Sequence, residues 1–252
     1  MSYFPNRPYN VAVIGAASGI GEAAARFMAA DGACVACLDA NQAGATAVAK
    51  SLSDKGAVSF AAKADVTDVA SVESAIAATA KALGQIHALV NCAGITGKTN
   101  IKGHEVELAD FDRVYAINLR GAFIVSQAIL RHMLPFNYGR LLQVASIAGK
   151  DGNAGMTAYS ATKAGLIGMV KSLGKDYAET GITINALAPA VIRTPMVDAL
   201  PDATVKYMTD KIPMRRCGEL EECAAMIAWI LSPACSFTTG FTFDLTGGRA
   251  TY

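Results

Sequence analysis

"NVAVIGAASGIG", Asn10 to Gly21, is the stretch on which the reading of the whole chain turns. Its first half is a short apolar run rich in β-branched residues, the pattern of a strand covered on both faces. Its second half places glycines at Gly15, Gly19 and Gly21, a G-x-x-x-G-x-G spacing instead of the commoner G-x-G-x-x-G. Glycines between a strand and a helix permit a tight turn and close approach of backbone to ligand, with the helix N-terminus facing a pyrophosphate. Glycine-rich turns also arise for packing alone, so the surrounding chain has to decide.

Working outward, similar runs recur at "CVACLD", "VSFAAK", "HALVNCAG", "GRLLQVAS", "ITINALA" and "GFTFDL". Between them lie helical segments at 19–31, 42–53, 69–83, 108–134, 158–179 and 220–231. Strands alternating with helices require right-handed crossovers and a parallel sheet. The expected fold is therefore α/β: a single Rossmann-type, doubly wound parallel sheet of about seven strands with helices on both faces. No linker, repeat or low-complexity segment divides residues 1–252, so one domain is expected. The rhythm breaks only at residues 190–217, "AVIRTPMVDALPDATVKYMTDKIPMRRC", where prolines and mixed polarity replace any clear strand. A long insertion after a late strand suits a substrate-covering lid, with an irregular surface excursion as the alternative.

Composition narrows the function classes. A formal net charge of +1 gives no electrostatic reason to expect nucleic acid or an anionic membrane as partner. No run reaches the roughly 18 apolar residues of a membrane span, and "MSYFPNRPYN" lacks the apolar core of a secretion signal. Six scattered cysteines suit a reducing, cytoplasmic setting. Cys34 and Cys37 form a C-x-x-C, but on a strand they point to opposite faces, and no ligand-spaced partners accompany them. No metal site is expected.

The nucleotide end extends beyond the glycines. Ser18 and Ile20 lie in the turn, and no Lys or Arg does. Asp39 closes the second strand, where a carboxylate can accept both hydroxyls of an adenosine ribose and would repel a 2′-phosphate. This favours NAD over NADP. Asp39 could equally cap the helix that follows. Asp65 follows the third strand, with Val66 placed to lie against an adenine ring, and Asn91 closes the fourth in "NCAG". Either acid or amide could instead be an ordinary turn residue.

"TAYSATKAG", 157–165, sets Tyr159 and Lys163 one helical turn apart on one face. A phenol has a pKa near ~10, too high for an efficient base at neutral pH, and a nearby cation favours the phenolate. Taken alone, the pair could equally be a packed aromatic and a solvated charge.

The combination of Gly15, Gly19 and Gly21, Asp65, Asn91, Ala93 and Gly94, Asn118, Ser146, Tyr159 and Lys163, then Pro189 and Thr194, resembles the short-chain dehydrogenase/reductase family. The match runs from about Asn10 to the C-terminus. The resemblance implies that Tyr159 is the acid–base for a substrate alcohol or carbonyl while hydride moves to or from a nicotinamide. It implies that Lys163 also holds the nicotinamide ribose, that Ser146 positions the substrate oxygen, and that Asn118 holds a water linking Lys163 to solvent. Thr194 and the backbone of Ile192 resemble the group that grips the nicotinamide carboxamide. Three residues depart from the family habit: Ile14 for Thr, Cys92 for Asn, and Ala190 for Gly. A homotetramer is also implied, with the long helices at 108–134 and 158–179 at the main interface, and Arg249 or Tyr252 bordering a neighbouring pocket.

Within that family "SIAGKDGNAGMTAYSATKAG" looks most like 3-oxoacyl-carrier-protein reductases and dehydrogenases of 2-keto-3-deoxy-sugar acids. Because Asp39 favours NAD, oxidation of a sugar-derived hydroxy acid is the preferred expectation and acyl thioester reduction the alternative. A silent nucleotide-binding protein on the same fold would be expected to have lost Tyr159 or Lys163, and both are present. A substrate carboxylate would want one or two cations among Lys150, Arg193, Arg215, Arg216 and Arg249, preferably an arginine fork.

Overall fold

The computed structural model describes residues 2–4 and 8–251. Seven parallel strands form one sheet in the order β3-β2-β1-β4-β5-β6-β7. These are β1 (Asn10–Ile14), β2 (Cys34–Asp39), β3 (Ser59–Lys63), β4 (Ala88–Asn91), β5 (Gly139–Val144), β6 (Ile182–Pro189) and β7 (Thr242–Leu245). The expected architecture is the one observed.

The two-residue period of β1 feeds two cores at once. Val11 and Val13 join one apolar layer, while Ala12 and Ile14 join the other. The first layer is completed by α1 (Gly19–Ala30), α2 (Gln42–Ser53) and α10 (Leu220–Leu231); the second by α3 (Val69–Leu83), α5 (Gly121–Met133) and α7 (Thr157–Asp176). In α1 the buried positions are Gly21, Ala24, Ala25, Met28 and Ala29, one stripe of an amphipathic helix. Small residues in that stripe let α1 lie close to β1 and α10.

Two segments differ from expectation. The helix expected at 108–134 is helical throughout but changes pitch. It comprises α4 (Leu108–Tyr115), a π turn (Ala116–Arg120) and α5. The insertion at 190–217 holds two short helices, α8 (Pro195–Asp198) and α9 (Asp202–Thr209). Its feet are fastened by a single parallel bridge, Ile192 with Gly218. There the Arg193 amide donates to the Gly218 carbonyl at 2.7 Å and the Gly218 amide to Val191 at 2.9 Å.

The chain leaves β1 towards β2 and β3, then crosses back to β4 on the other side. That reversal opens a crevice at the C-terminal ends of β1 and β4, where sheets of this kind take ligands. Among the described residues no helix is long and apolar enough to cross a membrane, and no group of three or more His, Cys, Asp or Glu is placed to hold a metal.

Candidate active site

The glycine turn is built by contact as much as by conformation. Gly15 has φ +79°, and a Cβ there would stand 2.9 Å from the Ala93 amide nitrogen, so the turns after β1 and β4 meet backbone to backbone. A Cβ on Gly21 would overlap the Gly15 carbonyl. The N-terminus of α1 consequently stays open towards the crevice, and its N-cap, Ser18, makes no side-chain capping bond. Four N–H groups at a helix start without internal partners form an anion seat.

The crevice encloses about 670 Å³. Gly15, Ser18, Gly19, Ile20 and Gly21 form one wall, Ala93 and Gly94 the opposite one, with Asp39, Asp65, Val66 and Thr194 around the rim. Its described lining contains two carboxylates and no Lys or Arg. Asp39 accepts the Ala17 amide at 2.9 Å and the Asn41 amide at 2.8 Å, one on each oxygen, which fixes the carboxylate and leaves each oxygen a second lone pair. Asp65 accepts both the amide and hydroxyl of Thr67, at 2.9 and 2.7 Å, and these bonds hold its pKa below the usual carboxylate value.

Five expected cofactor residues lie outside this lining: Tyr159, Lys163, Asn91, Pro189 and Ile192. Asn91 is buried beneath the turn, donating to Gln143 at 2.9 Å and accepting the Ala93 amide at 3.1 Å. These two bonds fix its side chain in the wall beneath the turn. The Pro189 carbonyl accepts the Ile147 amide at 3.0 Å, and Ile192 is buried at the foot of the insertion.

The acid–base residues converge behind Gly94. Lys163 is 4% exposed, and its Nζ donates to the Val144 carbonyl at 2.7 Å, tying α7 to the end of β5. Burial lowers its pKa from 10.5 to about 8. The Tyr159 ring centroid lies 5.7 Å from that Nζ. Ser146, two residues beyond β5, hydrogen-bonds the Tyr159 phenol, which favours the ionised form, but burial outweighs this and raises the phenol's pKa. Burial therefore holds the phenol above its ordinary pKa despite the lysine one turn away. Lys163 is buried and Tyr159 partly so, and the lysine keeps its proton at neutral pH.

Asn118 occupies the π turn. Its amide clamps the Ile95 backbone, accepting the N–H at 2.8 Å and donating to the C=O at 2.8 Å, with a third contact to Thr162 at 3.3 Å. A Cβ on Gly94 would lie 3.3 Å from both Asn118 Oδ1 and Lys163 Nζ, so these groups and the crevice wall share one point. A π turn inside an α-helix is a common mark of a functional position. Thr162, a buried hydroxyl on the helix of Tyr159 and Lys163, was missed from sequence. Its polarity on a buried helix face is the signal that could have found it.

The expected substrate cations are all engaged by acids. Lys150, in α6 (Ala148–Asp151), pairs with Asp244 at 2.7 Å, both largely shielded. Arg193 reaches Asp198 and Glu219 at 3.3 and 3.5 Å, and Arg215 reaches Asp210 at 3.5 Å. Arg216 closes a fork on Glu222 with two bonds of 2.7 Å, which holds that carboxyl down at about 2. Arg249 donates to Asp151 at 3.0 Å and Asn153 at 2.8 Å. None of the five stands as an unengaged cation awaiting a carboxylate; Tyr252 lies outside the described residues.

Residues 15–249 match the family model described as enoyl-(acyl carrier protein) reductase. The chain is 44% identical over 240 residues to the 2-dehydro-3-deoxy-L-rhamnonate dehydrogenase (NAD(+)) of Sphingomonas sp. (strain SKA58), covering 95% of this chain and 94% of that one. It is 36% identical to the 3-oxoacyl-[acyl-carrier-protein] reductase FabG of Escherichia coli (strain K12), covering 94% and 95%. A crystal structure of an actinorhodin polyketide ketoreductase variant with NADPH superposes with a TM-score of 0.91 at 30% identity, covering 97% and 98%. The chain belongs to the short-chain dehydrogenase/reductase family.

Membership makes this an oxidoreductase. The residues fit a dinucleotide: a glycine cradle that a Cβ would fill, an open helix start, and a carboxylate at the far rim. The three departures from family habit also find their places. Ile14 is buried in the core. Burial pushes up the pKa of the Cys92 thiol, which keeps it a small apolar wall residue. The Ala190 amide donates to Leu245 at 2.9 Å, extending the β6–β7 pairing by one bond. None interrupts the group formed by Ser146, Tyr159, Lys163 and Asn118.

Proposed function

We propose that this protein is an NAD-dependent dehydrogenase that oxidises a secondary alcohol of a small sugar-derived hydroxy acid. The observation that carries the cofactor choice is the Asp39 carboxylate at the rim of a crevice lined by no cation among the described residues. A ribose diol finds an acceptor there, whereas a 2′-phosphate finds only like charge. The Sphingomonas relative, named for NAD(+) and a deoxy keto sugar acid, supports the same cofactor and suggests the substrate.

NAD, when bound, supplies the hydride acceptor. The remaining work falls to the chain. Ser146 donates a hydrogen bond to the substrate oxygen and holds it against Tyr159. Tyr159, as phenolate, removes the hydroxyl proton as the carbonyl forms. Lys163 lies beneath the ring and favours that phenolate, and its burial excludes the water that would screen the effect. Asn118 fixes the wall at Ile95 and is the candidate anchor for a water that returns the proton to solvent. The segment 190–217 is the candidate lid. A homotetramer formed through α7 and the long helical segment of α4, the π turn and α5, and a cytoplasmic location, complete the proposal.

The purified protein tests it by competition. It should form NADH from NAD+ and 2-dehydro-3-deoxy-L-rhamnonate, with NADP+ a poor substitute, and sediment as a tetramer. Rapid NADPH-dependent reduction of an acetoacetyl thioester, with negligible NAD-linked oxidation of hydroxy acids, would replace this reading by the acyl reductase that the Escherichia coli relative suggests.

A further inference from the structure

The lid carries a second tyrosine and lysine four residues apart, Tyr207 and Lys211. Tyr207 lies near the end of α9 with 61% of its surface exposed. Lys211 Nζ donates to the Tyr207 hydroxyl at 2.8 Å and lies 4.1 Å from its ring centroid. The other lid cations are all held by carboxylates. Lys206 pairs with Asp210 at 2.9 Å, Arg215 shares that acid, and Arg193 and Arg216 have acids of their own. Lys211 is the lid cation with no carboxylate partner among the described residues.

The pair is linked to the acid–base residues through the C-terminal segment. Next to Lys211, Ile212 packs against Gly247, and the Met214 amide donates to the Gly247 carbonyl at 3.1 Å. The Lys211 hydrogen bond and charge lower the pKa of the Tyr207 phenol, and Arg249, carried by the same C-terminal segment, adds a smaller effect of the same sign. Arg249 in turn grips Asn153, whose amide donates at 3.1 Å to the hydroxyl of Ser160, the neighbour of Tyr159. Lys211 and Arg249 thus both bring positive charge to Tyr207, on the segment expected to cover the substrate, and a lysine with its phenol is a suitable receptor for one carboxylate.

We propose that Lys211 and Tyr207 seat the carboxylate of the substrate, the lysine supplying charge and the phenol a hydrogen bond. The inference rests on the reading of the protein as a hydroxy-acid dehydrogenase and adds to it the residues that select an acid over a neutral alcohol. It also couples the lid to the charge of what it covers, since an anionic substrate supplies the partner that Lys211 lacks.

The test compares NAD-linked oxidation of 2-dehydro-3-deoxy-L-rhamnonate with that of its primary amide, in the wild type and in Lys211→Met, Lys211→Arg, Tyr207→Phe and Lys206→Met. A lost bond to a charged group predicts that Lys211→Met lowers kcat/KM for the acid about 10- to 100-fold, mostly through KM. The acid-to-amide preference should fall with it. Tyr207→Phe should show a smaller loss of the same kind, Lys211→Arg should restore most of the activity, and Lys206→Met should leave the preference unchanged. An unchanged preference in Lys211→Met, or an equal fall in Lys206→Met, overturns the inference while the dehydrogenase reading stands. A wild type that oxidises no hydroxy acid with NAD+ removes both.

Discussion

Tyr159→Phe is expected to lower kcat for alcohol oxidation by about 10³-fold or more, the upper part of the range for a removed acid–base group. The substitution deletes one oxygen and keeps the ring, so the packing that places Lys163 5.7 Å from its centroid should survive. The affinity for NAD+, measured by fluorescence titration, should stay within about 2-fold, because the lost oxygen acts on the reacting alcohol. Burial raises the phenol's pKa, so wild-type oxidation should slow as pH falls and the phenolate is lost. A loss of kcat smaller than about 10-fold would remove Tyr159 from the chemistry.

Lys163→Met should separate catalysis from stability. Activity should fall about 10²- to 10⁴-fold as the cation beneath Tyr159 disappears. The folded protein should nevertheless gain about 3 kcal/mol at pH 7 before other losses, because the buried ammonium is held at a pKa of about 8 against an ordinary 10.5. The sign follows from proton binding. Below pH 8 both folded and unfolded chains carry the proton, and the folded state bears the whole cost of burying the charge. Between about 8 and 10.5 the folded chain loses the proton first, so wild-type stability recovers as pH rises. The variant's advantage in thermal midpoint should therefore be greatest near neutrality and shrink towards pH 10. Part of the gain is offset by the lost bond to the Val144 carbonyl. A variant less stable than wild type at pH 7 would contradict the burial cost.

The fold was legible because its signals are local. Short, near-continuous apolar runs such as "NVAVI", bounded by turn residues, fit strands buried on both faces, and Gly15, Gly19 and Gly21 mark where the first of them turns into a helix. The bounds of α2, α3 and α10 follow from the same periodicity. The π turn at Asn118 was not legible, because its clamp on Ile95 comes from 23 residues away. Nor was the pairing of the cations. Lys150 meets Asp244 across 94 residues and Arg249 meets Asp151 across 98, through folding that sequence proximity does not reveal. The partner of Asn91 was likewise hidden, since only the sheet shows that Gln143 stands beside it in β5. Lys211 was overlooked for the opposite reason: it becomes conspicuous only after its neighbours are seen to be neutralised.

Acid–base chemistry at Tyr159, aimed at a dinucleotide in the crevice between β1 and β4, underlies every step above. A crystal structure of the protein with NAD+ tests this most directly. The account predicts the pyrophosphate at the start of α1, the adenosine ribose on Asp39, and the nicotinamide beside Tyr159 with Lys163 on its ribose. A dinucleotide bound elsewhere, or a Tyr159 hydroxyl directed away from the nicotinamide, would contradict it.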